Sequence, residues 1–309
     1  MTKQEISNFN LLLNTFNKFS EIGINEATEK WILSVLDSSL PFFTNLINQY
    51  QFETLERITI NNRILGSNKR IKEIKFLKYP PADKVTKYGR CNLPQQSVFY
   101  GSTMFMTAMD EMKPRVGDLI TKSIWKLKES KHLKFCPIFH VQPTNGTFNP
   151  NSWKLEKEFD KVLKRDFPKE MHDPVTNLSK FIAFHFSKYV NHKRSKDYLF
   201  SAYFANKLMN ELDGGTIDGI VYPSVQSHLS FDNVVLKTDV FDANYELSEV
   251  QESIVTKDPS DGGKGYLMSG INDCKEFDFE NDKILWNKSI HQPKEQMDFY
   301  KEHFGVDIE

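Results

Sequence analysis

The sequence predicts an α+β protein in which a helical N-terminal segment precedes a region of mixed strands and helices. The first observation is helical periodicity, because apolar residues recur at three- and four-residue intervals between Phe9 and Phe19. The second observation is the irregular order of short β-type runs and helical stretches further along the chain. Strict alternation of strand and helix is typical of parallel α/β sheets, so this mixed order favours the α+β class.

Helical patterns dominate the first 50 residues. The helix around residues 9–19 is followed by a second over residues 27–36, and the sequence pattern of residues 42–50 also predicts a helix. No glycine or proline linker separates this part from the region after residue 56, so the helices are expected to pack against the next domain.

From about Arg57 the pattern changes to short strands and helices. A strand is predicted at residues 97–100, and a helix follows at 103–112, with Thr103 as its cap and Pro114 as its stop. Glu111 then lies near the C-terminal end of that helix. Two further strands are predicted at residues 123–127 and 135–139.

The second half of the chain contains fewer clear patterns. Residues 144–180 are predicted to be a loop with one charged helix at 154–165, and residues 198–212 an amphipathic helix closed by Gly214 and Gly215. Compact β-type runs occupy residues 219–222 and 233–236. After Tyr245 the sequence is acidic and irregular, which predicts a tail with little regular structure.

Composition excludes several classes of protein. The formal net charge of -1 argues against nucleic acid or an anionic membrane as partner. No apolar run approaches the roughly 18 residues of a transmembrane helix, and the N-terminus lacks a signal peptide pattern. The cysteines are Cys91, Cys136 and Cys274, too few and too scattered for a disulfide framework. A cytoplasmic protein with reduced thiols is therefore predicted.

Metal and thiol chemistry receive little support. The eight histidines show no metal-ligand spacing, so no metal site is predicted. Cys136 and His140 lie four residues apart in a predicted strand, so their side chains share one face of that strand but are well separated along it. A buried structural thiol is therefore favoured over a cysteine–histidine nucleophile pair.

Five short runs, in a fixed order, carry the residue types that a nucleotide site requires. They combine an arginine, a tyrosine, a carboxylate and a hydroxyl. The runs are Gly89-Arg90-Cys91-Asn92, Phe99-Tyr100-Gly101-Ser102, Thr107-Ala108-Met109-Asp110-Glu111, Asp218-Gly219-Ile220-Val221-Tyr222-Pro223-Ser224 and Asp232-Asn233-Val234-Val235-Leu236.

This ordered set resembles the RES domain family, whose members consume NAD by cleaving its nicotinamide–ribose bond. The resemblance covers roughly residues 57–240 and implies an ADP-ribosyltransferase-like split β-sheet that binds NAD in a cleft. It implies three segments: an N-terminal helical extension (1–56), a RES-like NAD-binding catalytic domain (57–245) and a C-terminal extension (246–309).

The resemblance also implies residue roles. By position, Arg90, Tyr100, Glu111 and Ser224 match the arginine, tyrosine, glutamate and serine of the family, as its catalytic residues. Tyr100 and Asn233 are implied to bind substrate. Arg63 matches a further upstream arginine loosely and is implied to bind substrate as well.

The residue types suit this chemistry independently of the family. Expelling neutral nicotinamide leaves positive charge on the ribose, which the carboxylate of Glu111 can stabilise. A guanidinium such as that of Arg90 donates paired hydrogen bonds to a pyrophosphate or an attacking phosphate. The ring of Tyr100 can stack on nicotinamide, and Ser224 can donate to a phosphate or ribose oxygen.

The function predicted from these features is NAD cleavage with phosphate or water as acceptor, with no cofactor beyond NAD as substrate. A growth-inhibiting toxin with an antitoxin or other regulatory protein as partner is what the resemblance implies. Two alternatives remain open: ADP-ribosyl transfer to a macromolecule, and a non-catalytic binding or scaffold protein. Aromatic helices near the N-terminus also predict a homo-oligomer.

Overall fold

The computed structural model describes residues 1–40, 43–140, 150–191, 194–225, 231–261 and 265–308. Helices and strands both form substantial parts of these ranges. The predicted α+β class and the helical N-terminal segment are confirmed.

The helices and strands follow one another in irregular order along the chain. The helices are α1 (Lys3–Ile22), α2 (Glu26–Ser39), α3 (Asn61–Leu65), α4 (Phe105–Met112), α5 (Pro150–Asp166), α6 (His172–Ser187), α7 (Leu199–Asn210), α8 (Thr238–Asn244) and α9 (Lys294–Phe304). The strands are β1 (Asn48–Tyr50), β2 (Thr54–Ile60), β3 (Val98–Ser102), β4 (Leu119–Leu127), β5 (Leu133–Pro137), β6 (Gly219–Pro223), β7 (Asp232–Lys237), β8 (Tyr245–Lys257), β9 (Leu267–Cys274), β10 (Phe277–Asp278) and β11 (Lys283–Ile284).

The contacts between residues divide the chain into two compact units, each built from three separate segments. Unit 1 comprises Met1–Tyr50, Pro81–Val98 and His132–Lys237. Unit 2 comprises Gln51–Pro80, Phe99–Lys131 and Thr238–Glu309. The predicted division into 1–56, 57–245 and 246–309 describes where a homologous domain begins and ends, whereas the two units describe which residues contact one another. That predicted division therefore stays a prediction.

In unit 1 the strands run in the order β1, β5, β6, β7. The β5–β6 pair is parallel, and the β1–β5 and β6–β7 pairs are antiparallel. In the β6–β7 pair Tyr222 lies opposite Asn233 and Pro223 lies opposite Asp232. Because side chains alternate along a strand, these two pairs project from opposite faces.

In unit 2 the strands run in the order β3, β2, β4, β8, β9, and the pairs β2–β3, β2–β4, β4–β8 and β8–β9 are antiparallel. One face of β2 and β4 is covered by α4, where Ala108 and Met109 pack with Ile58, Ile60 and Ile120. The opposite face carries an aromatic group, in which the Phe99 and Phe241 rings stack with centroids 3.8 Å apart.

The two N-terminal helices have the capping that their sequences encode. Thr2 and Glu5 form a capping box at the start of α1, and Asn25 and Thr28 form one at the start of α2. The aromatic residues of α1, predicted to favour self-association, are buried or half-buried within unit 1; Phe16, for example, is fully buried. The homo-oligomer stays a prediction, but exposed aromatic residues of α1 no longer support it.

Two local predictions in the first half are wrong. Residues 42–50 do not form a helix in their described part, because Asn48–Tyr50 pairs with β5 as strand β1. Pairing with a distant strand overrides the local pattern there. Thr103 does not cap α4; its N-cap is Met104, which makes no side-chain capping hydrogen bond.

Two predictions in the second half are also wrong. The stretch 144–180 holds more than one helix, since α6 begins at His172 and buries an apolar face that includes Phe181 and Phe186. The segment after Tyr245 is not irregular, because β8 is a 13-residue strand between β4 and β9. Its alternating buried and exposed residues were obscured by the acidic composition.

Candidate functional site

Unit 1 contains Arg90, Ser224 and Asn233. The C-terminal end of α6 contacts both Arg90 and strand β6. Arg90 is buried, with only 8% of the residue exposed. Its Nη1 donates to the carbonyl oxygens of Phe186 at 2.5 Å and His185 at 3.4 Å, and its Nη2 donates to that of Lys188 at 3.2 Å. Arg90 therefore binds the C-terminal carbonyls of α6, where the helix dipole favours a cation.

The same helix end contacts strand β6, which pairs with the strand that carries Asn233 and is followed directly by Ser224. The ring of Phe186 packs edge-on against that of Tyr222, with centroids 5.6 Å apart. Tyr222 lies opposite Asn233 and two residues before Ser224, so these three side chains share one face of the sheet. Ser224 is fully buried, and its backbone N–H donates to the carbonyl of Phe231 at 2.7 Å. Unit 1 thus brings Arg90, Ser224 and Asn233 to one side of its sheet.

Arg90 is expected to stabilise the fold of unit 1 whatever its part in chemistry. Replacing Arg90 by Ala leaves buried carbonyl groups of α6 without their charged donor, and should lower the free energy of unfolding by about 2–3 kcal/mol. Arg90→Lys retains a cation at the helix end and should lose less. Denaturant unfolding of both variants measures this. Unchanged stability in Arg90→Ala would show that the contacts contribute nothing.

Unit 2 contains Tyr100, Glu111 and Arg63. Tyr100 lies in β3 and is half-buried, and Glu111 is the second-last residue of α4, also half-buried. Arg63 is exposed on α3, and its guanidinium donates to the carbonyls of Met112 and Lys113 at 2.8 and 3.2 Å. Arg63 therefore contacts the end of the helix that carries Glu111.

Glu111 lies beside a second carboxylate at the end of α4. Asp110 and Glu111 both lie in the last turn of α4, at the negative end of the helix dipole, and that turn contains no basic residue. The role predicted for Glu111 stays a prediction.

Sequence reasoning overlooked Arg57, which contacts the backbone of Tyr100. Arg57 lies in β2, and its Nη1 donates to the Tyr100 carbonyl at 2.8 Å. Burial lowers the pKa of this guanidinium to about 10, so it stays charged at neutral pH. Its Nε is buried without a hydrogen-bond partner in the described part of the chain. The sequence signal that could have identified Arg57 is its position between Leu55 and Thr59, which places a charged side chain on the same strand face as these two residues.

The thiol and metal alternatives have no geometric support. Cys136 is fully buried, and burial raises its pKa to about 12, so the nucleophilic thiolate is scarce near neutrality. The predicted burial of this thiol is confirmed. Within the described ranges, no group of three or more His, Cys, Asp or Glu side chains is arranged to hold a metal ion. None of the helices there is long and apolar enough to span a bilayer.

Unit 1 also has a cavity of about 490 Å³, bordered by Tyr50, Glu158, Pro223 and Asp232. Pro223 and Asp232 project from the face of β6 and β7 opposite to Tyr222 and Asn233. Burial raises the pKa of Asp232. The cavity is thus separate from the face that carries the predicted site residues.

A family model for the RES domain matches residues 69–254, more than half of the chain. The chain belongs to the RES domain family. The match contains Arg90, Tyr100, Glu111, Ser224 and Asn233, whereas Arg57 and Arg63 precede it. A search of curated proteins finds no match.

Membership of the RES family indicates an NAD-related enzymatic or toxin–antitoxin role. The matched range begins later than the predicted resemblance and ends later, inside β8. β1 and the helices α1 and α2 lie before it, and α9 lies after it.

Proposed function

We propose that this RES domain protein consumes NAD by breaking the bond between nicotinamide and ribose, with phosphate or water as acceptor. The observation that carries the proposal is the match over residues 69–254, which contains Arg90, Tyr100, Glu111 and Ser224 in the order that the resemblance requires.

In the proposed reaction the C–N bond between the ribose anomeric carbon and nicotinamide breaks, and neutral nicotinamide leaves with the electron pair. The positive charge that remains is shared by the anomeric carbon and the ring oxygen. An oxygen of water or phosphate then bonds to the anomeric carbon, and water loses its extra proton to solvent. The products are nicotinamide and either ADP-ribose or its phosphate ester.

Glu111 is assigned the role of stabilising the positive charge that develops on the ribose. A carboxylate that is already in place stabilises this cation without the reorganisation that solvent would need. Tyr100 is assigned to nicotinamide, on which an aromatic ring can stack. Its backbone is held by Arg57, which favours a fixed ring position.

Arg90, Ser224 and Asn233 are assigned to the phosphate and ribose oxygens of NAD. The contacts of Arg90 with the α6 carbonyls fix its guanidinium in place, so its charge can act only from that position. Preorganised charge of this kind costs little reorganisation when an anion binds.

Mass-resolved analysis of the products that purified protein forms from NAD, with and without phosphate, tests the proposal. Nicotinamide release that requires phosphate, with the phosphate ester of ADP-ribose as co-product, identifies a phosphorylase. Release without phosphate and with free ADP-ribose identifies a hydrolase. Label from NAD on protein or nucleic acid identifies a transferase. No nicotinamide release in any of these conditions would contradict the proposal and favour a non-catalytic protein.

We further propose, from the family resemblance, that the activity restrains cell growth and that an antitoxin-like protein counteracts it. Loss of NAD deprives many reactions of their hydride carrier, so expression of the active chain should arrest growth. Expression of the wild-type chain and of Glu111→Gln in the same cells compares the two, with cellular NAD measured alongside. Equal growth arrest by both would separate toxicity from NAD cleavage.

A further inference from the structure

Arg63 makes a two-pronged contact with the end of α4. Its Nη1 donates to the carbonyl of Met112 at 2.8 Å, and its Nη2 donates to the carbonyl of Lys113 at 3.2 Å. Met112 is the residue directly after Glu111 and the last of the helix. The planar fork of a guanidinium thus spans two successive carbonyls that have no partner within the helix.

Helix α4 is intrinsically weak and needs such a contact. It has only eight residues, and its N-cap Met104 makes no side-chain capping hydrogen bond. Short helices owe their stability to tertiary contacts, because nucleation is costly. The acidic pair Asp110 and Glu111 adds an unfavourable interaction with the negative end of the helix dipole.

Other contacts of α4 involve its inner face and its C-cap. Ala108 and Met109 pack on the core of unit 2, which fixes the inner face of the helix. Lys113, the C-cap, has a φ of 48°, in the left-handed region that costs a residue with a side chain roughly 1–2 kcal/mol. Its N–H donates to the carbonyl of Met109 at 2.8 Å. Arg63 adds a cationic contact from α3 at this helix end.

We infer that Arg63 is a positioning residue, which fixes the orientation of Glu111 by binding the C-terminal carbonyls of α4. The inference rests on the proposed function, since it concerns the carboxylate assigned to the ribose. This role differs from the substrate-binding role that the loose alignment implied. In the structure both Nη groups of Arg63 donate to backbone carbonyls at the end of α4, which is the geometry of a contact that fixes the helix end.

Loss of the contact should lower kcat with little effect on KM. A shift of the helix end moves Glu111 relative to the ribose, and small displacements of a catalytic group are costly in rate. Arg63→Ala is expected to lower kcat for NAD about tenfold or more, with KM changed by less than about twofold. Arg63→Lys should recover most of the rate, because an ammonium at a helix C-terminus also binds the last carbonyls.

The matched control is Arg115→Ala, which removes an exposed arginine from the turn that follows α4. It deletes the same side chain and charge without touching the carbonyls of Met112 and Lys113. Its kcat and KM should equal those of the wild type.

Hydrogen exchange supplies a readout that does not depend on activity. Amide exchange over residues 109–113 should accelerate in Arg63→Ala, recover in Arg63→Lys and stay unchanged in Arg115→Ala. Faster exchange together with a fall in kcat supports the inference. A raised KM for NAD with normal exchange would overturn it in favour of substrate binding, and kinetics and exchange identical to wild type would overturn it outright.

Failure of the proposed function is separable from failure of this inference. If the wild-type protein releases no nicotinamide, the proposed function fails, and exchange alone then decides whether Arg63 fixes the end of α4. Unchanged exchange in Arg63→Ala would then reject the contact as well, whereas faster exchange would retain it as the determinant of where Glu111 lies.

Discussion

Replacing Glu111 by Gln is expected to reduce the rate of NAD cleavage about a hundredfold or more while leaving the fold intact. The amide keeps the shape of the side chain but removes the negative charge that is proposed to stabilise the developing cation on the ribose. Loss of one preorganised electrostatic group at an active site typically costs 10²- to 10³-fold in rate. Nicotinamide release by purified protein at saturating NAD measures the effect.

The control for this variant is Glu302→Gln, which makes the same exchange in the last turns of α9, another helix of unit 2. Glu302 is exposed and lies outside the matched residues 69–254. Its rate should equal that of the wild type. Circular dichroism and thermal unfolding of Glu302→Gln and of Glu111→Gln should match those of the wild type, because each exchange keeps the size and shape of the side chain. Full activity in Glu111→Gln would remove Glu111 from the reaction.

Replacing Arg70 by Met is expected to lower the free energy of unfolding by about 3–5 kcal/mol. Arg70 forms a two-pronged ion pair with Glu252 inside unit 2, with Nη2 and Oε2 2.6 Å apart. Glu252 is fully buried, and the guanidinium also lies over the ring of Trp286. Without Arg70, an uncompensated carboxylate remains in the interior, which is the costly case for a buried ion pair.

Denaturant unfolding measures this loss, and two comparisons sharpen it. Arg70→Met combined with Glu252→Met replaces both charges by apolar side chains and should be more stable than Arg70→Met alone. Lys72→Ala, an exposed neighbour in unit 2, should change stability little. A loss below about 1 kcal/mol in Arg70→Met would show that the pair is not a determinant of the fold.

The pH dependence of the Arg70 variant depends on the burial of Glu252. Burial raises the pKa of this carboxyl, against the opposing effect of Arg70. A group with a raised folded-state pKa contributes stability below its unfolded pKa and loses that contribution as pH rises through its folded pKa. Removing Arg70 raises the folded pKa further. The stability deficit of Arg70→Met should therefore grow from acid toward neutral pH and be smallest in acid.

Local sequence patterns predicted the elements whose apolar spacing and capping are self-contained. The apolar spacing of residues 9–19 and 27–36 predicted the first two helices, and the structure adds that Thr2 and Asn25 cap them. The apolar run of β6 likewise identified a buried strand. Pairing partners could not be predicted, and so residues 48–50 were assigned to a helix although β5 recruits them as a strand.

The order of the motifs predicted the candidate site residues, but it did not predict their contacts. These candidates are Arg90, Tyr100, Glu111, Ser224 and Asn233, which all lie within the matched range. The partners of Arg90 lie about 95 residues further along the chain, at the end of a helix that the sequence analysis overlooked. Arg57 escaped notice because nothing local shows that its guanidinium reaches the Tyr100 carbonyl.

The sequence by itself determined the α+β class, the N-terminal helices and the RES family of this protein. These depend on periodicity and on residue order, which are properties of the chain as written. Only the tertiary structure decided that Arg63 binds the end of α4 and that Arg90 binds the end of α6. Unpaired carbonyls at a helix end can be satisfied by a cation from anywhere in the chain, so the partner is set by folding and not by sequence distance.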